Sequence, residues 1–380
     1  MTRIAIFSAN YLPNIGGVEK FTQNISYELE KMGIEVDIIT NNVFGLPTVE
    51  NLSAGIRIFR LPCFPLIHGR MPLPRYNKVF KECWDELLNT DYAGVLINAR
   101  FYVHSILGLV LAKKKGIQAI VLEHGSKYIC FGNVVLDQIV KAYEHLITLV
   151  IKAFKPKFYA VSKKAGFWLH TFGIESSGII SNAIDTEAFV AVSSHRNFRD
   201  ELGFSADDFV VSFYGRLVPE KGIDKLIQAS NLVNNCNIKF IVAGSGPLEK
   251  EVKNSTSEKL KYVGSLNEAD VSALLQDSNL MCLPTRSEGF STALLEASAC
   301  GVPSLIPDVG GVDELILNES YGNILSDRTF QTLARSIDYL ASHPKLLLEQ
   351  RISIQALVSK QYGWNSSAKA AIRAFEIGSI

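Results

Sequence analysis

The stretch Pro284 to Glu296, PTRSEGFSTALLE, sets two carboxylates eight positions apart around a run of small and hydroxyl residues. The apolar Leu280-Met281-Cys282-Leu283 before it has the length of a buried strand, which Pro284 ends. Ser291 or Thr292 can cap a helix that continues through Ala293, Leu294, Leu295, Glu296 and Ala297. The first amides of a helix have no intrahelical partner, so strand, turn and helix start together form an anion site. Glu288 in the turn and Glu296 in the helix bracket that site, and Glu296 leans back along the first turns. A phosphate on the amides, with a carboxylate free for hydroxyls on either side, suits a nucleotide sugar.

Cations come from Gly215-Arg216-Leu217, at the end of another expected strand, and from Lys221 in PEKG five residues later. Arg216 and Lys221 suit a diphosphate, although surface positions for both are an equally simple reading. Gly244-Ser245-Gly246-Pro247 hints at a dinucleotide fingerprint, but Glu249 stands where the third glycine belongs, so a tight turn is the better reading. Gly16-Gly17 puts bare backbone at a strand-to-helix turn that a phosphate or sugar could approach. His124 in Glu123-His124-Gly125 ends one more strand; a histidine there is often only structural. No HxxxH or His/Cys cluster offers a metal site, and no two aspartates stand at DxD spacing. Diphosphate charge is then expected to be neutralised by Arg216, Lys221 and helix amides, with no metal and no other cofactor.

Elements must hold these residues at one edge. Strands alternate with helical patterns in both halves, which argues for parallel sheets covered on both faces. Strands are expected at Arg3–Ser8, Val36–Thr40, Gly94–Asn98, Ala119–Glu123, Phe158–Val161 and Gly178–Ser181, with helices at Tyr102–Lys115 and near Asn133–Phe154. Residues 62–76, with four prolines plus His68, Arg70 and Arg75, read as a loop. The pattern restarts with strands at Phe209–Tyr214, Ile238–Ala243, Leu260–Val263, Asn279–Leu283 and Val302–Ile306, and with helices at Lys221–Leu232, Glu249–Asn254 and Val271–Gln276. A length of 380 residues is too long for one ordinary core. Two doubly wound domains would leave a cleft at the carboxyl edges of their sheets.

Hydrophobic content of 47% and charged content of 20% describe an ordinary globular chain, and its apolar runs are short of a membrane span. Six cysteines (63, 83, 130, 236, 282, 300) lack ligand spacing and read as reduced core thiols of a cytoplasmic protein. Net charge is zero, but residues 1–182 carry 20 basic against 14 acidic side chains, a surplus of six that the remainder reverses. A basic first half can face an anionic surface. Nucleic acid is excluded as a partner, since no basic stripe with interleaved aromatics occurs.

In this order GGVE (16–19), EHG (123–125), GRLVPEKG (215–222), AGSGP (243–247), VGSL (263–266), EGFSTALLEA (288–297) and GVPSLIPDVGG (301–311) resemble family 4 of the retaining glycosyltransferases over nearly the whole chain. The resemblance implies an α/β GT-B fold, two Rossmann-like doubly wound domains facing each other across a cleft. It places an acceptor-side domain at 1–184, a nucleotide-sugar domain at 185–360 and a last helix within 361–380 that packs back on the first domain. Carried over by position, it implies that Arg216 and Lys221 hold the donor diphosphate, Glu296 the ribose, and Glu288 the transferred sugar. The amides of Phe290, Ser291, Thr292 and Ala293 would assist at sugar and phosphate, and backbone at Ser265-Leu266 would meet the base. Gly16 and Gly17 would approach the phosphate, and His124 would sit by the donor sugar. Ala183 stands where the interdomain Asn-Gly-Val-Asp pattern of the family usually has glycine, and Ile34 where Gly-His is common, both away from this chemistry.

The function so implied is metal-independent, retaining transfer of a hexose-type sugar, UDP-linked in preference to GDP-linked. The acceptor would be lipid-linked or polysaccharide, in surface-glycan synthesis, with peripheral contact to an anionic membrane. A nucleotide-sugar epimerase of the same architecture, separated by product without acceptor, is the alternative enzyme. A silent glycan-binding or partner subunit is the third, and it would be expected to have lost Glu288, Arg216 or Lys221, all present here.

Overall fold

A computed structural model describes residues 2–14, 16–67, 69–128 and 134–377; His68, Cys130 and Asn133 lie outside them. The chain divides into two compact units, Met1–Asn182 with Trp364–Ile380, and Ala183–Gly363.

Unit 1 contains β1 (Thr2–Ser8), β2 (Ile34–Asn41), β3 (Val49–Asn51), β4 (Ile56–Leu61), β5 (Cys63–Leu66), β6 (Met71–Pro74), β7 (Gly94–Asn98), β8 (Gln118–Glu123) and β9 (Lys157–Ala160). Its main sheet runs β3-β4-β2-β1-β7-β8-β9, parallel except for the antiparallel edge strand β3. Both faces of β1 and β7 are buried, as the near-continuous apolar sequences require. Phe21, Ile25 and Leu29, on one stripe of the helix Gly17–Lys31, cover one face. The helix Val103–Lys115 covers β1 and β7, and ends at Gly116 in the left-handed region with three lysines in its last turn.

Unit 2 contains β10 (Phe209–Tyr214), β11 (Ile238–Ala243), β12 (Leu260–Tyr262), β13 (Leu280–Cys282), β14 (Ser304–Pro307) and β15 (Asn323–Leu325). These form an all-parallel sheet in the order β12-β11-β10-β13-β14-β15. Numbered within each unit, the parallel strands of both sheets follow 3-2-1-4-5-6, the dinucleotide-binding order. Each sheet therefore has a switch point beside its first strand, between β1 and β7 and between β10 and β13.

Four sequence expectations need correction. Residues 62–76 are not a loop: β5 and β6 pair antiparallel, with Cys63 opposite Pro74 and Pro65 opposite Pro72. A two-stranded ribbon is all edge, where a missing proline N–H costs no ladder bond. Gly178–Ser181 forms only an isolated bridge between Ile179 and Ala160, because the chain leaves the sheet edge there. The helix expected from Lys221 starts at Ile223, after a one-turn 3₁₀ segment Pro219–Lys221 and a left-handed Gly222 at φ +74°. The cysteines are not all core: Cys83, Cys282 and Cys300 are buried, but Cys63 is half-buried and Cys236 exposed.

Candidate active site

The switch point of unit 2 gathers the residues singled out by type and spacing. The chain leaves β10 through Gly215, and Arg216 follows it exposed, its side chain without a hydrogen bond or ion pair among the described residues. It leaves β13 through Pro284 into a turn stitched to the loop after β10. The buried Thr285 hydroxyl donates to the Glu220 carbonyl at 3.1 Å, and the Arg286 amide donates to the same oxygen at 2.7 Å. That stitching brings the Lys221 ammonium onto the Glu288 carboxylate as a partly buried ion pair. Gly222 must be glycine here, because a Cβ at its left-handed φ would run into the Pro284 carbonyl. A third loop, after β14, holds the turn from its other side. Gly310 sits at φ +52°, where a Cβ would come 2.5 Å from the carbonyl oxygens of Glu288 and Gly289.

The helix that follows, Thr292–Ala299, is capped by Ser291, whose hydroxyl accepts from the Leu294 amide at 3.2 Å. Thr292 and Ala293 stand half-buried at its opening, and the buried Phe290 packs on Tyr362. Glu296, 8% exposed, accepts a 2.8 Å hydrogen bond from the Tyr214 hydroxyl, which also lies 3.0 Å from the Ala293 carbonyl. Burial, with the Glu296 charge beside it, raises the Tyr214 pKa well above the usual tyrosine value. Its hydroxyl is therefore a standing donor that fixes the Glu296 carboxylate. The turn Gly244–Pro247 packs against Leu217, which donates to the Ser245 carbonyl at 2.8 Å. Beyond β12, Ser265 is exposed, while Leu266 joins Tyr214 on the small core around Phe198 and Ile241.

In unit 1, Gly16 precedes the helix Gly17–Lys31 in extended conformation. Its backbone is not bare: the buried Glu19 carboxylate folds against it, a Cβ at Gly16 falling 2.5 Å from Oε2, and accepts from Asn14 at 2.7 Å. Burial raises the Glu19 pKa. At the carboxyl end of β8, His124 Nε2 lies 3.0 Å from Asn98 Oδ1, and the Asn98 amide donates to Thr22 Oγ1 at 2.8 Å. Thr22 Oγ1 in turn donates to the Val18 carbonyl at 2.8 Å. With the asparagine amide so assigned, the chain of donors puts the proton on Nε2 and leaves Nδ1 as acceptor. Burial pushes the His124 pKa down to about 3, so the ring is neutral at ordinary pH. Its neighbour Glu123 lies 2.8 Å from Arg100 Nε, and Glu144 lies 2.9 Å from a terminal nitrogen of the same guanidinium. Burial raises the Glu123 pKa, and Arg100 opposes the shift.

The structure thus brings Lys221 to Glu288, with Arg216 on the same loop as Lys221, and sets Ser291, Thr292, Ala293 and Glu296 on the helix that follows. Gly16, Gly17 and His124 lie at the equivalent edge of unit 1. Sequence reasoning missed Tyr214, Glu19, Asn98 and the clamp by Gly310; only the last two letters of DVGG hinted at that clamp. Among the described residues no group of three or more His, Cys, Asp or Glu side chains is placed to hold a metal ion.

Comparison with known proteins agrees with this architecture. The model described as "Glycosyl transferases group 1" matches residues 194–356, and "Glycosyltransferase Family 4" matches residues 15–188. An uncharacterised glycosyltransferase of Methanocaldococcus jannaschii is 24% identical, with 98% of each chain covered. A phosphatidylinositol N-acetylglucosaminyltransferase from Arabidopsis thaliana is 23% identical over 97% of this chain and 80% of its own. The Anabaena HepE structure in complex with UDP-glucose superposes with a TM-score of 0.74 at 16% identity, covering 99% of this chain and 100% of that one. The fold is GT-B.

Proposed function

We propose, from the premise that the chain belongs to the glycosyltransferases of the family 4 type, that it transfers a hexose-type sugar from a nucleotide sugar with retention and without a metal. The donor is UDP-linked in preference to GDP-linked, which the UDP-glucose complex of the HepE neighbour supports. The acceptor hydroxyl is lipid-linked or on a polysaccharide. The phosphatidylinositol-directed name of a relative supports the lipid-linked case. Transfer takes place in the cytoplasm, with peripheral contact to an anionic membrane.

The observation that carries this reading is the Lys221–Glu288 contact at the mouth of a Ser291-capped helix, with Arg216 on the adjoining loop. Cation, carboxylate and helix amides meet where diphosphate and sugar of one donor would lie. In the proposed reaction the bond from the anomeric carbon to phosphate breaks, and its electron pair leaves with the diphosphate. Arg216, Lys221 and the amides of Phe290 to Ala293 stabilise that charge, at about 3 kcal/mol for each well-aimed cation. The acceptor oxygen bonds the anomeric carbon from the same face and gives its proton to the departing phosphate. Glu288 faces the positive charge that develops on the sugar, Glu296 holds the ribose, and backbone at Ser265-Leu266 meets the base. Gly16, Gly17 and His124 are assigned to phosphate and donor sugar by family resemblance alone.

A panel of UDP- and GDP-sugars, scored for nucleotide release with and without acceptor, tests the reading beside thermal shift by UDP and GDP. Acceptor-dependent release that survives EDTA is expected. Activity lost in chelator and restored by Mn²⁺ or Mg²⁺ overturns the metal-free part. Isomerised nucleotide sugar without any acceptor overturns the transfer itself.

A further inference from the structure

The helix Val134–Ala153 in unit 1 faces the wrong way for a core helix. Its inward side carries Glu144 and Thr148, both hydrogen-bonded to the buried Arg100 guanidinium, beside Ile147 and Ile151. Its outward side carries Val135, Ile139, Leu146 and Leu149, each 60–71% exposed, with Val150 next to them. These positions fall on one stripe at helical spacing, which Ala142 and Ala153 continue over about 30 Å. A contiguous aliphatic stripe on a soluble surface marks a docking face.

We infer that this stripe is the surface by which the chain lies against an anionic lipid bilayer, the helix flat in the interface. Three observations choose lipid over a second protein. The stripe holds only Val, Ile, Leu and Ala, whereas protein interfaces are enriched in aromatic anchors, Met and Arg. Lys141 follows one edge of it, with Lys152 farther along that edge holding the Phe172 and Gly173 carbonyls. Of the helix's two carboxylates, Asp137 is in the first turn and Glu144 is turned inward onto Arg100. The basic surplus of the first 182 residues falls in the segment that contains this helix: residues 1–100 are balanced, while residues 101–182 carry ten lysines against four carboxylates. Two of those four, Glu123 and Glu144, are buried on Arg100. Aliphatic side chains flanked by lysines match the boundary of an anionic leaflet. Among the described residues no helix is long and apolar enough to cross a membrane, so the geometry is that of lying on one.

The inference rests on the peripheral-membrane part of the proposed function but not on the transfer chemistry. Its test is co-sedimentation of the full chain with phosphatidylcholine vesicles, with and without phosphatidylglycerol. The wild type is expected to bind the anionic vesicles and to lose them in high salt. Ile139→Ser with Leu146→Ser and Leu149→Ser should lower the bound fraction by about tenfold or more, since several aliphatic groups leave the interface. Lys141→Glu, a milder second variant, should weaken binding to anionic vesicles only. Both should keep the wild-type thermal midpoint and the thermal shift by UDP, which separates failure of this inference from failure of the transferase reading. Failure of the wild type to bind anionic vesicles overturns the inference, as does equal binding by the triple variant. A wild-type dimer that becomes monomeric in that variant, with vesicle binding unchanged, overturns it in favour of contact between copies.

Discussion

Lys221 and Glu288 form one ion pair, although the family resemblance implies separate tasks for them, one at the diphosphate and one at the sugar. Lys221→Ala and Glu288→Ala should each lower kcat/KM by roughly 10²- to 10³-fold, about the loss of one transition-state contact. The double variant should be little worse than the worse single one, because residues that act together are not additive. Kinetics on the three variants decide it, and strict additivity would show that the pair does not act as a unit. Tyr214→Phe removes the donor that fixes Glu296 and should raise the donor KM by about tenfold with kcat nearly unchanged, the expected size for a hydrogen bond to a charged group. Combined with Glu296→Ala it should add almost nothing. The carboxylates, the cap and Lys221 were legible because each lies within a short motif. Tyr214 was not, since its partner is 82 positions away and only the parallel neighbours β10 and β13 bring them together.

Among the elements, strands were the easiest to read. Phe209–Tyr214 and Ile238–Ala243 coincide with β10 and β11 because buried parallel strands are continuous apolar runs. The break at Gly222 was not legible, because its cause is the Pro284 carbonyl of a distant loop. Gly222→Ala should cost about 1–3 kcal/mol in stability as backbone strain. It should cut turnover further than that loss explains, because Lys221 would be displaced from Glu288. Denaturation midpoints and kcat on the same preparation compare the two effects. The helix Val103–Lys115 carries a different liability. His104 is buried, with Nε2 bonded to the Ile39 carbonyl at 3.0 Å, and burial pushes its pKa down to about 4. A histidine depressed from about 6.5 is held neutral in the fold and takes up its proton more readily unfolded. Its stabilising contribution is complete above pH 6.5 and falls as pH drops toward 4, by at most about 1.4 kcal/mol per pH unit. Urea midpoints from pH 7 to 4 should decline, and decline less steeply for His104→Gln.

At the scale of the whole molecule, the alternation of strand and helix was enough to read two doubly wound units. The short edge elements β3 and β15 were invisible, since Val49-Glu50-Asn51 and Asn323-Ile324-Leu325 sit in no longer apolar run, whereas the equally short β12 and β13 lie within Leu260–Val263 and Leu280–Leu283. The last helix, Trp364–Ala374, was legible only through the family resemblance, which implies one within 361–380. It belongs to unit 1: Trp364 lies 5.8 Å from the Phe21 ring, and the Phe375 ring fills the space above Gly94. Ending the chain after Gly363 should uncover Phe21 and β7 and leave unit 2 whole. Calorimetry should then show one transition lowered or lost and a second one unchanged. A uniform decrease in both would show that the helix supports more than unit 1.

The Ile184 amide bonds to the Tyr362 carbonyl at 2.8 Å, and the Ser367 hydroxyl to the Ser181 carbonyl at 2.7 Å. The chain therefore leaves unit 1 and re-enters it side by side, and unit 2 is an insertion within a discontinuous host. On the ribosome, this reverses the usual order of completion. At about 5–20 residues per second, the insert takes roughly 10 to 40 s to make. Throughout that time the helix Gly17–Lys31 has been synthesised but its cover has not. The domain begun first is finished last, and its uncovered Phe21 face is the segment a nascent-chain chaperone would meet. Joining Asn182 to Trp364 by a short linker would release the host from that wait.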